Sequence, residues 1–198
     1  MKCKIEFSII LITITLLGGV EVGKTTLINM YLGQEFTDLG LITMGNDKFK
    51  TKIKINNNYY NLIIWDTGGT ERLRLYSVNA AINSDIIIYV FDVSNLDSFE
   101  ELKGFVRLVQ ENSDKNYFSY IIGNKTDKLS GNEFDGEIIK QYAESNNIMY
   151  RLLSAKDNIE IFKELVENLI TEYLGISNNE NKYKKYGHYI TLNKYLNY

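Results

Sequence analysis

Gly18-Gly19-Val20-Glu21-Val22-Gly23-Lys24-Thr25 matches the spacing G-x-x-x-x-G-K-[ST] and closes a nearly unbroken apolar run from Phe7 to Leu17. In that setting the octet reads as a phosphate cradle delivered by a buried strand. A helix then leaves at about Lys24, with Thr25 and Thr26 in its first turn. Backbone N–H groups of such a loop, together with the helix N-terminus, wrap phosphate oxygens. Lys24 would place a positive charge on β and γ phosphates, and the Thr25 hydroxyl would take a coordination position on Mg²⁺.

Three further loops carry chemistry of the same kind. Asp66-Thr67-Gly68-Gly69 follows Ile63-Ile64-Trp65. A carboxylate at Asp66 can hold Mg²⁺, and Gly69 lets a backbone N–H approach a terminal phosphate. Asn124-Lys125-Thr126-Asp127 follows Tyr120-Ile121-Ile122-Gly123. The Asp127 carboxylate can accept from the N1–H and exocyclic amine of guanine, which adenine does not present together. The Lys125 stem can cover a base face. Ser154-Ala155-Lys156 follows Met149 to Leu153, and its backbone can meet a base carbonyl. Each loop taken singly is also ordinary turn chemistry. Their order carries the reading.

The elements that must position these loops are legible in part. Lys24 to about Leu32 is a short helix, and Gly33 to Gly45 has no periodicity. Residues 48–55 alternate strictly, with Phe49, Thr51, Ile53 and Ile55 on one face and Lys48, Lys50, Lys52 and Lys54 on the other. That is a half-buried strand whose lysines discourage edge pairing. Asn56-Asn57-Asn58 turns the chain, and Tyr59 to Trp65 returns as the second arm of a hairpin. Further strands run from Ile86 to Phe91 and from Phe118 to Ile122. Between them Phe99, Leu102, Val106 and Val109 mark a helix starting near Asp97 and Ser98, and Ile159 to Tyr173 marks another. The pattern predicts a three-layer α/β sandwich on a mostly parallel six-stranded sheet with one antiparallel edge strand. Ligands of such sheets sit at the carboxyl ends of the strands, where every motif above falls.

Bulk properties agree. The 198 residues suffice for one domain, and 44% hydrophobic with 24% charged residues is ordinary for a globular chain. A net charge of −3 gives no reason to expect nucleic acid as partner. The single cysteine, Cys3, excludes an internal disulfide framework and fits a reducing compartment. Lys2 and Lys4 precede the first apolar run, but that run lacks a small-residue cleavage site and is too short to span a bilayer. The expected division is a globular unit over 1–175 and a polar, basic, tyrosine-dotted tail over 176–198. The tail holds Lys182, Lys184, Lys185, Lys194 and the lone His188.

In order and spacing the four loops resemble the Ras-type small GTPases, the Rab branch most closely, over roughly residues 5–174. Ile64-Trp65-Asp66-Thr67, Glu71-Arg72, Asp92-Val93-Ser94 and Ser98-Phe99 reinforce the likeness. The resemblance implies that Phe36, eleven residues beyond Thr25, packs on guanine. It implies that Thr43, eighteen beyond Thr25, binds Mg²⁺. It implies GTP and GDP as ligands, effector proteins, an exchange factor and an activating protein as partners, and a monomer serving vesicle traffic. The expected location is cytoplasmic, at most peripheral on endomembranes.

Two departures bear on catalysis. The family has glycine where this chain has Val20, whose branched side chain would crowd the terminal phosphate. It has glutamine after the switch II glycine, to orient the attacking water, where this chain has the shorter Thr70. Lys24 and Thr70 are the expected catalytic groups, and the expectation is GTP binding with weak hydrolysis. The alternative is a GTP-locked or nucleotide-insensitive scaffold. Two other departures touch partners and anchoring. Ala80-Ala81 replaces an aromatic pair, and the chain ends Tyr195-Leu196-Asn197-Tyr198, without the cysteines that carry prenyl groups.

Overall fold

A computed structural model describes residues 10–37, 43–115, 117–129 and 136–176. The expected tail, Cys3, and the start of the first apolar run lie outside the described residues. The described chain forms six strands: β1 (Leu11–Leu17), β2 (Asn46–Ile55), β3 (Asn58–Thr67), β4 (Ile86–Asp92), β5 (Phe118–Asn124) and β6 (Met149–Leu152). Five helices join them: α1 (Lys24–Tyr31), α2 (Arg74–Ile82), α3 (Leu96–Asn112), α4 (Gly136–Ser145) and α5 (Ile159–Tyr173). Strand order is β2-β3-β1-β4-β5-β6, with only β2 antiparallel to its neighbour. The expected sheet is therefore the observed one.

The hairpin shows why. Asn56 and Asn57 adopt φ of 47° and 66°, left-handed values that asparagine tolerates and that a two-residue turn of matching twist requires. Register then pairs Phe49 with Ile64 and Ile53 with Tyr60, turning those side chains toward the core, while every lysine of β2 is exposed. β4 runs through the middle of the sheet with all seven residues buried, as a strand covered on both faces must.

The sheet separates two apolar layers. On one side Leu27, Phe162, Val166 and Leu169 of α1 and α5 pack against Ile14, Leu62, Ile64 and Ile88. On the other Val78, Phe99, Phe105 and Val109 of α2 and α3, with Ile139 of α4, pack against Tyr89, Phe91 and Ile121. Burying each large aliphatic side chain contributes roughly 1.5–3 kcal/mol. α3 starts slightly earlier than its apolar stripe suggested. Its cap is Asn95, whose side chain accepts from the Asp97 N–H at 3.1 Å.

α2 and α4 carried no readable stripe. α2 turns Ser77, Val78 and Ala81 inward, and α4 buries only Ile139 and Ala143. Such small inner faces fall below what apolar periodicity can register.

Candidate nucleotide site

A cavity of about 710 Å³ opens at the carboxyl ends of β1, β3 and β5. Val20, Glu21, Gly23, Lys24, Thr25, Thr26, Phe36, Thr43, Gly69, Asn124, Lys125, Asp127, Ala155 and Lys156 all line it. Gly18, Gly19, Val22, Asp66, Ser154 and Thr70 do not. The first five of these act on the lining from behind.

The loop after β1 is held by its own lysine. Lys24 is 5% exposed, and its Nζ donates to the carbonyls of Gly18 at 3.0 Å and Gly19 at 2.7 Å. Burial pushes its ammonium down to about 8, with Asp66 and Glu101 pulling the other way. Gly23 sits at φ 96°, and a Cβ there would meet Asn124 Nδ2 at 2.3 Å. No other residue type fits both constraints.

Thr25, Thr43 and Asp66 converge from α1, the loop before β2, and β3. The Thr25 hydroxyl donates to Asp66 Oδ2 at 2.6 Å and lies 2.9 Å from the Thr43 hydroxyl, which in turn lies 3.4 Å from Asp66 Oδ2. Asp66 is fully buried, its Oδ1 has no hydrogen-bond partner among the described residues, and burial raises its pKa against the hydrogen bonds that lower it. Two hydroxyls and a carboxylate with an unpaired buried oxygen are hard oxygen donors, the set Mg²⁺ takes when phosphate and water complete its shell. The residues present fit that ion.

The third loop is braced across the whole chain. Asn124 is 2% exposed and spends both ends of its amide: Nδ2 donates to the Val22 carbonyl at 3.0 Å, and Oδ1 accepts from the Ala155 N–H at 3.1 Å. Its polar atoms tie this loop to the first and to the Ser154-Ala155-Lys156 loop. Lys125 bridges similarly, donating to the Glu21 carbonyl and pairing with Asp92 Oδ2 at 2.8 Å. Burial pushes the Asp92 carboxyl up, but hydrogen bonds from Lys125 and Ser94 outweigh it and leave the group below its ordinary value. Asp127 Oδ1 accepts from the Ser154 hydroxyl at 2.6 Å, and the Asp157 N–H donates to that same hydroxyl at 3.1 Å. One Asp127 oxygen is thus fixed by a neighbour. Lys156 Nζ stands 5.7 Å from the Phe36 ring centre, so those two side chains close one wall together.

Sequence reasoning missed several contributors. Asn29, Met30, Glu35, Thr37, Thr67 and Lys128 also line the cavity. Asp92 ends β4 and could have been flagged by the same strand-end rule that found Asp66.

At the terminal-phosphate corner the two departures sit differently. Val20 is 38% exposed and lines the cavity. Thr70 is half-buried but is not among the lining residues, and its carbonyl accepts from the Leu73 N–H at 3.0 Å. Gly69 packs directly on the first loop: a Cβ there would meet the Gly19 carbonyl at 2.3 Å and the Val20 nitrogen at 2.5 Å.

Comparison with known proteins decides the family. A Ras family model matches residues 13–174. The chain belongs to the Ras family. Its relatives place it on the Rab-like side of the small GTPases. It is 31% identical to the Ras-related protein RabJ of Dictyostelium discoideum over 81% of this chain and 65% of that protein. It is 31% identical to RABF2b of Arabidopsis thaliana, over 79% and 80%. It is 32% identical to Rab7 of Pisum sativum, over 76% and 77%. No helix among the described residues is long and apolar enough to cross a membrane.

Proposed function

We propose that this Rab-like small GTPase is a guanine-nucleotide switch that binds GTP and GDP with Mg²⁺ over a nucleotide-binding unit of residues 1–175. One observation supports it above the rest: a single cavity gathers the lysine-braced loop, the Thr25 and Thr43 residues with Asp66 hydrogen-bonded behind them, and Asp127. Lys24 binds phosphate oxygens. Asp127 reads the base, with Ser154 and Asn124 fixing the loops around it, while Phe36 and Lys156 close its flank. Bound Mg²⁺ would neutralise phosphate charge, held by Thr25, Thr43 and Asp66. Thr43 and Gly69 belong to the segments that respond to the γ-phosphate, so its loss releases both. The partners are effectors, an exchange factor and an activating protein, in traffic along endomembranes.

Hydrolysis is weak in this reading. Intact relatives of this fold turn over at roughly 10⁻⁴ to 10⁻³ s⁻¹ alone and gain about 10⁵-fold from an inserted arginine. Val20 occupies the space such an arginine would enter, and Thr70 stands outside the cavity wall. The same two observations favour a second reading, a GTP-locked scaffold that recruits effectors without turnover.

Purified protein should carry GDP or GTP by mass spectrometry, and excess ATP should not displace it. A time course of phosphate release then separates the two readings. Folded protein with no affinity for either guanine nucleotide in the presence of Mg²⁺ would end both.

A further inference from the structure

Behind the terminal-phosphate corner stands an acid to which the proposed function gives no role. Glu101 lies in the second turn of α3 and is exposed. Its carboxylate packs against the first loop: a Cβ built on Gly19 would meet Glu101 Oε2 at 2.0 Å. Gly19 therefore leaves room for a charge that any side chain of its own would displace. Its carbonyl accepts from Lys24 Nζ at 2.7 Å, and Gly69 of switch II packs on the same peptide. After Asp66, Glu101 is the acid that favours the Lys24 ammonium against burial, so its field reaches the phosphate-binding groups.

This carboxylate is unlike its neighbours. Glu100, beside it, is paired with Lys103 at 2.6 Å. Among the described residues no salt bridge involves Glu101. Arg74 of α2 instead holds its guanidinium over the Phe105 ring, one turn further along α3, at 5.3 Å. Glu101 does not line the cavity either, so it acts on a ligand only through the loop.

We propose that Glu101 is a specificity-determining residue of the nucleotide site, a negative charge behind Gly19 that selects the diphosphate over the triphosphate. The inference rests on the nucleotide reading given above and deepens it. GDP and GTP share base, ribose and inner phosphates, and differ by a terminal group that adds about one negative charge. That group belongs at the Val20 and Gly69 corner, which Gly19 helps to build. Glu101 repels both ligands across one layer of loop backbone, and repels the triphosphate more. Over such a partly solvated path, the effect on the ratio of the two affinities is roughly three- to tenfold. A carboxylate serving only as a strut would hold Gly19 equally for both. A chain with a reduced hydrolytic corner then still returns toward its diphosphate form, by exchange rather than by turnover.

The full-length protein, with Mg²⁺ and a bound fluorescent GDP analogue, is competed with GDP and with a non-hydrolysable GTP analogue. The readout is the ratio of the two dissociation constants. E101Q keeps the size of the side chain and removes its charge. The ratio should move roughly three- to tenfold toward the triphosphate, with GDP affinity changing far less. The shift should shrink as salt is raised. E101K should move the ratio further in the same direction. E100Q, which removes a neighbouring charge already paired with Lys103, should leave it where it is. A ratio unchanged in E101Q, an equal shift in E100Q, or joint loss of both affinities in E101Q would overturn the proposal and leave the nucleotide reading in place. Failure of the parent chain to bind either guanine nucleotide would instead remove that reading, and this inference with it.

Discussion

The base end and the terminal-phosphate end of one cavity are built to different standards. At the base end three polar side chains are committed to neighbours. Asn124 uses both amide groups, Lys125 is shared between Asp92 and Glu21, and Ser154 anchors Asp127. At the other end Lys24 and the Thr25–Thr43–Asp66 set are as firmly placed, but the groups that would act on water are not. Val20 presents hydrocarbon to the cavity and Thr70 lies outside its lining. On the proposed reading binding and turnover are separable in this chain, with the binding groups present and the hydrolytic corner reduced.

Removing the buried charge of the phosphate end should have the largest effect. Lys24→Ala deletes the donor for phosphate oxygens, and two charge-assisted hydrogen bonds are worth roughly 1.5–3 kcal/mol each. Titration with a fluorescent GDP analogue should show affinity falling roughly 10²- to 10⁴-fold. The empty protein should not lose stability in urea, because the buried ammonium it sheds is costly to hold. Asn124→Ala tests the base end by the opposite signature. It strands the Val22 carbonyl and the Ala155 N–H, two buried groups costing about 1–3 kcal/mol each, so urea stability of the empty chain should drop by about 2–6 kcal/mol. Unchanged stability would mean the two loops do not need their bridge.

The contrast can also be erased. Val20→Gly with Thr70→Gln clears the cavity and supplies a carboxamide, and single-turnover phosphate release should rise roughly ten- to a hundredfold if misplacement of water is the defect. A double variant as slow as the parent would show that the reduced corner lies elsewhere, in how Gly69 and its neighbours approach the first loop.

What could be read in advance follows the range of the interactions. The lysine alternation of β2 and the asparagine turn are local, and they delivered the hairpin and its place at the sheet edge. Short loop patterns delivered most of the cavity lining for the same reason. α2 and α4 went unseen because their inner faces are small or polar, with Ser77 buried where a stripe would need an aliphatic residue. The bracing role of Asn124 was also hidden. Its partners lie 102 and 31 positions away, and nothing in Asn-Lys-Thr-Asp announces that the asparagine faces backbone. The same holds for Glu101 of α3, whose carboxylate fills the space that a side chain at Gly19 would need.

The smallest effect concerns pH and again separates holding the nucleotide from holding the fold. Lys24 is lowered to about 8 by burial in the empty chain, whereas an unfolded lysine titrates near 10.5. Between those values the unfolded chain binds more protons, so stability should rise with pH, by about 1 kcal/mol from pH 8 to 9. Phosphate binding needs the charged ammonium, so nucleotide affinity should move the other way, falling about fivefold over the same unit. Tyr31, raised to about 12 by burial and Glu167, opposes the stability trend only above pH 10, outside this window. Calorimetric titration with GDP at pH 8.5 in buffers of different ionisation enthalpy should register proton uptake on binding, and Lys24→Ala should abolish it. Stability and affinity rising together would place the titrating group somewhere other than Lys24.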